Sequence, residues 1–170
     1  NSVLINTEMV SDNYFNNYTL YSKVFDGPQI DYTDLDVNTL QQEIGRLREM
    51  ADYGLNTVAV TDENISAESR VYMHFCRGFA LMLAGENFTG LPITSLGEVS
   101  DWKSMLEIAL EEYDLAIAES SDPETIQALQ LLKARTYYRL GDLSNAKSIA
   151  NTLLNNTTLL FTVGYDGENG

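Results

Sequence analysis

The chain has 170 residues, 44% of them hydrophobic, with 25 acidic against 10 basic side chains and a formal net charge of −15. That length is enough for one domain with a real core. So negative a surface repels nucleic acid and anionic lipid, which require a basic patch, and Lys23 is the only basic residue before Arg46.

The same charge favours solubility and leaves cation binding open. The single Cys76 excludes an intrachain disulfide and any cysteine-rich metal site. Its neighbours Met73, Phe75 and Phe79 mark it as a packing thiol. No uninterrupted apolar run approaches the ~20 residues that cross a bilayer. The start at Asn1-Ser2-Val3, without an initiator Met, a basic leader or a lipobox-type cysteine, fits a product whose targeting segment has been removed.

Residues 1–37 read as an irregular lead-in, with one short helical candidate around Met9 to Tyr21. Its Tyr14, Phe15, Tyr18, Tyr21 and Tyr32 can tie the segment to a helical body or stack on sugar rings. A helical domain is expected over 38–158. Leu40, Ile44, Leu47 and Ala51 recur at helical spacing, with Asn38 and Gln41 as a cap pair and Gly54 as the stop, giving a helix over about 38–53.

A polar connection follows over 54–65, and Ser66 caps a second helix. That helix carries Tyr72, Phe75, Phe79 and Leu83 on one face and Met73, Ala80 and Ala84 on another, so it reads as buried on most sides and ending at Gly85. Pro92 prevents continuation, and a long ordered loop is expected to about Ser100.

The third helix begins near Asp101 and aligns Trp102, Met105, Ala109, Tyr113 and Ala116, with Glu107, Glu111, Glu112 and Asp114 largely off that stripe. Asp122-Pro123-Glu124 supplies a cap, a first-turn proline and an acidic first turn for a fourth helix through Ile126, Leu129, Leu132 and Leu140 to Gly141. Asp142 caps a fifth, with Leu143, Ala146, Ile149, Ala150 and Leu153 turned inward, ending near Asn155. The short connection makes the last two helices an antiparallel hairpin. The segment 159–170 reads as a short strand over 159–163 and a flexible tail.

Ala109, Tyr113 and Ala116 recur as Ala146, Ala150 and Leu153 at an offset of 37 residues. That is near the period of about 34 residues of TPR helix hairpins, and Gly141-Asp142 stands where such a unit turns. The fold class expected is all-α, built from TPR-like antiparallel hairpins.

A more specific pattern joins Ala67-Glu68-Ser69-Arg70, the run Arg77 to Phe88, and Gly90-Leu91-Pro92-Ile93, followed by Ala116-Ile117-Ala118 and by Ala134-Arg135-Thr136-Tyr137-Tyr138-Arg139-Leu140-Gly141-Asp142. With Phe161-Thr162-Val163 and Tyr165, this resembles the RagB/SusD family of outer-membrane nutrient-binding proteins over roughly residues 38–166. The resemblance implies a SusD-like helical superhelix in a cell-surface protein that captures a glycan or peptide and passes it to a TonB-dependent outer-membrane transporter. The matching motifs are packing and turn residues, and no ligand-binding residue is carried over. The alternative reading is a TPR-like scaffold that assembles with copies of itself and binds no small molecule.

Catalytic chemistry is not marked. Gly85 to Gly90 has the spacing of a phosphate loop, but Leu91-Pro92 stands where Lys and Ser or Thr are required. His74 is the only histidine and reads as a packing residue. No carboxylate pair has an apolar sequence setting of the kind that raises one pKa. An enzyme is therefore not expected, and no cofactor beyond a calcium option at Asp31, Asp34 and Asp36 or at Asp166 and Glu168. Five overlapping or separate glycosylation sequons start at Asn17, Asn64, Asn87, Asn155 and Asn156, mostly in expected loops or ends.

Overall fold

A computed structural model describes residues 35–155. Residues 1–34 of the expected lead-in and the expected strand and tail over 159–170 lie outside the described residues, as do Asn17, Asn156, Asp31, Asp34, Asp166 and Glu168; residues 35–37, expected to be irregular, are helical. The chain divides into two compact units, Asn1–Arg46 and Leu47–Gly170.

Helix α1 spans Leu35–Tyr53, three residues longer at its start than the periodicity predicts. Leu40, Ile44 and Ala51 are buried, as their spacing requires. Gly54 does not stop it. The backbone widens into a π-helical turn over Gly54–Val58 and closes in one α-turn, Ala59–Thr61, so the expected polar connection shrinks to residues 62–66. Gly54 is needed for closeness instead: a Cβ there would lie 2.7 Å from the Met73 sulfur. Among the described glycines only Gly141 has a positive φ.

Helix α2, Ala67–Asn87, starts as predicted, with Ser66 Oγ accepting from the Ser69 N–H at 3.0 Å. It runs two residues past Gly85, the expected stop. Gly85 is buried, and a Cβ there would meet Leu106 Cγ and the Trp102 carbonyl oxygen, both at 2.8 Å. One heptad earlier, a Cβ on Gly78 would lie 2.7 Å from the Tyr113 ring. Both glycines let α2 approach helix α3, Trp102–Glu119, which Asp101 caps as predicted. Ala80 and Met82 of α2 and Met105, Leu106, Ala109, Tyr113 and Ala116 of α3 are inaccessible to solvent. This close-packed layer is the core of the second unit.

The connection between α2 and α3 is not an irregular loop throughout. Strands β1, Gly90–Pro92, and β2, Val99–Asp101, pair antiparallel with Gly90 opposite Asp101 and Pro92 opposite Val99. Leu96 sits at the exposed tip with φ 59°. The fold is mostly helical with this small two-stranded sheet.

Helix α4, Pro123–Leu140, and helix α5, Leu143–Leu154, form the expected hairpin. Gly141 takes φ 83°, its N–H donates to the Tyr138 carbonyl and that of Asp142 to the Tyr137 carbonyl, which satisfies the last carbonyls of α4. Asp142 then accepts from the Asn145 N–H at 3.1 Å and opens α5. Ala146 and Leu153 are buried, whereas Leu143, expected inward, is 60% exposed. It is the first residue of α5 and lies at the hairpin's edge. Among the described residues no helix is long and apolar enough to cross a membrane.

Candidate functional site

The expectation that α2 is buried on most sides holds for its second half only. In its first half Val71 turns inward, but Tyr72 is 67% exposed and Met73 and Phe75 are half-buried. They border a cavity of about 590 Å³ that opens between α2 and the first turns of α4, where Thr125 and Ala128 form the opposite wall and Glu68 lies at the lining. The lining is mainly apolar.

Tyr72, Phe75 and Phe79 follow one another at three and four residues along α2, so their rings share a face. Tyr72 and Phe75 stack with centroids 6.4 Å apart and planes 14° from parallel, and Phe75 and Phe79 at 6.0 Å and 12°. The aromatic ladder runs on from the cavity toward the buried half of the helix.

Glu112 of α3 is the second feature, and it overturns the sequence expectation. Rather than lying off the apolar stripe, it is buried, 4% exposed, next to Tyr113. A carboxylate there needs partners. His74 Nδ1 donates to Glu112 Oε2 at 2.7 Å, Arg77 Nη1 donates to Glu112 Oε1, and Arg77 Nε donates to Asp52 Oδ1 at 2.5 Å. Burial by itself would lower the Arg77 pKa, but the Glu112 and Asp52 carboxylates outweigh it and hold the guanidinium above its ordinary value. The network links the last turn of α1, the middle of α2 and the middle of α3.

This arrangement can fix helices. Among the described residues the hydrogen bond of His74 is to a carboxylate and not to a hydroxyl or thiol. Cys76 is buried, and burial raises its thiol pKa, in keeping with an inert packing role.

Outer ion pairs tie down the motif residues. Arg70 donates to Glu119 at 2.8 Å. Arg135 grips Glu86 with two bonds, Nε to Oε1 at 2.7 Å and Nη2 to Oε2 at 2.6 Å. Arg139 Nη2 reaches the Glu86 carbonyl at 3.3 Å.

The described sequon residues are scattered. Asn64 is exposed in the turn before α2, where its N–H donates to Asp62 Oδ1 at 2.9 Å. Asn87 ends α2 and spends its side-chain amide on the Leu83 carbonyl at 2.8 Å, and Asn155 follows α5. Asp36, the described member of the first acidic cluster, lies in the first turn of α1. Among the described residues no group of three or more His, Cys, Asp or Glu is placed to hold a metal ion.

Sequence reasoning missed the Glu112 network because its partners are separated by 25 to 38 residues. The one local signal was His74 and Arg77, three residues apart within the otherwise largely apolar stretch 71–85 of α2. No protein-family model, curated protein or solved structure matches the chain.

Proposed function

We propose that the chain is a RagB/SusD-like binding protein of the outer-membrane surface, built on TPR-like helix hairpins, that captures a glycan or peptide nutrient for a TonB-dependent transporter and catalyses no reaction itself. The supporting observation is the two-bond contact of Arg135 with Glu86 across 49 residues. It joins the two most distinctive segments of the resemblance, Arg77 to Phe88 and Ala134 to Asp142, through side chains that both segments contain. The residues that carry the resemblance thus act together as a helix clamp. The test is a native purification from the envelope of the source organism. Recovery of a TonB-dependent transporter with the chain supports the reading, and repeated recovery without one counts against it.

The alternative, a self-assembling TPR-like scaffold, is favoured by the exposed apolar side chains of the last hairpin. Leu131 is 54%, Tyr138 70%, Leu143 60% and Leu154 79% exposed, a pattern suited to stacking of a further hairpin. A strictly monomeric sedimentation profile across a wide concentration range argues against that form.

A further inference from the structure

Among the described residues, the one charged side chain in the wall of the groove between α2 and α4 is acidic. That residue is Glu68. Among the described residues it has no ion-pair partner, while Arg70, the one basic residue in the opening turns of these two helices, is engaged by Glu119 at 2.8 Å. The next basic side chain along α4, Lys133, is paired with Asp114. An apolar, aromatic floor with an unpaired carboxylate at one end calls for a ligand that is apolar along one side and cationic at its edge.

We propose that this groove docks a basic amphipathic helix of a protein partner, with Leu- or Met-like side chains on Tyr72, Met73 and Phe75 and a Lys or Arg directed to Glu68. The cavity of about 590 Å³ is sized for the few side chains that a helix presents from one face at successive turns. Tyr72, with 67% of its surface open, also offers its ring to a cation.

A sugar fits less well. Phe75 is stacked with both Tyr72 and Phe79 and is half-buried, which leaves Tyr72, among the described residues, as the one widely open ring of the groove. The polar side chains of the lining are few, and a neutral or acidic glycan gains nothing from the acidic edge. This inference does not depend on the nutrient-binding reading, because it concerns a protein partner rather than a captured nutrient.

The experiment is fluorescence anisotropy with the full chain and a labelled Leu/Lys amphipathic helix of about 18 residues, long enough to hold its helix on binding. Expected is saturable binding at one site, weakened at least about tenfold by Tyr72→Ala and by Glu68→Lys. Glu107→Lys, the same charge change at an exposed position of α3, is expected to leave the affinity within about twofold. Circular dichroism checks that each variant is folded. Equal losses for Glu68→Lys and Glu107→Lys would reduce the effect to net charge and overturn the proposal. Absence of binding overturns it as well, and so does displacement of the probe by a malto- or cello-oligosaccharide, which would assign the groove to a glycan.

Discussion

The Nδ1 of His74 lies 2.7 Å from the Oε2 of Glu112, and the other oxygen of that same carboxylate receives Arg77. Glu112 is therefore the shared anion between α2 and α3. Replacing it by Ala leaves Arg77 with Asp52 alone and His74 without its acceptor, in a site where the Glu112 side chain is 5% exposed. Breaking a buried pair from one side typically costs 3–5 kcal/mol, and retention of Asp52 places this case at about 3 kcal/mol. Urea unfolding should show that loss as a lower midpoint with an unchanged slope. The exposed neighbour Glu111→Ala should change stability by less than about 0.5 kcal/mol. Similar effects of the two substitutions would mean that the network contributes nothing specific.

Gly85 and Gly45 make opposite predictions from the same residue type. Alanine normally stabilises a helix interior by roughly 0.5–1 kcal/mol relative to glycine. At Gly45 nothing lies within 4 Å of an added Cβ, so Gly45→Ala should raise the thermal midpoint. At Gly85 the new methyl would meet the backbone oxygen of Trp102 at 2.8 Å, and backbone cannot step aside as a side-chain tip can. Overpacking of this kind costs about 1–3 kcal/mol and outweighs the propensity gain. Differential scanning calorimetry of the two variants should show shifts of opposite sign.

The same glycines explain where the sequence was legible and where it was not. Asp101, Asp122-Pro123 and Gly141-Asp142 announce helix ends through local chemistry, since a cap bonds backbone within three residues, and α3, α4 and α5 fall where those signals place them. Gly54 and Gly85 carry the same letter but serve contacts with Met73 and with Trp102 and Leu106, which no local pattern encodes. Glu112 was misplaced for a related reason. Its charge says surface, and only the arrival of Arg77 and His74 from another helix makes burial tolerable. For the groove, the aromatic spacing on α2 was visible, but the opposing wall at Thr125 and Ala128 depends on how α4 packs.

Gly141 is a pure backbone case. Its φ of 83° is left-handed, and no atom lies within 4 Å of the place that an added methyl would occupy, so Gly141→Ala has strain without a clash. The cost should be about 1 kcal/mol, with Gly141→Asn costing less because Asn tolerates this conformation better. Thermal unfolding of both variants measures the order. An Ala variant as stable as the native chain would show that the turn relaxes out of the left-handed region.

Acid sensitivity follows from the three capping aspartates. The Ser104 N–H and hydroxyl hold the Asp101 carboxyl below the usual carboxylate range, with a further bond from the Lys103 N–H. The Thr125 hydroxyl and N–H do so for Asp122, and the Asn145 N–H and side-chain amide for Asp142. Because each folded pKa lies below its unfolded value of about 3.9, the stabilisation is complete above that value and is lost as pH falls through the folded one. Protonation removes the charge from the acceptor at three helix N-termini at once. Asn also caps well but does not titrate in this range. The combined Asp101→Asn, Asp122→Asn, Asp142→Asn variant should therefore remain folded near neutral pH and lose thermal midpoint less steeply than the native chain between about pH 5 and pH 2. Parallel profiles for the two proteins would show that acid lability originates in other carboxylates.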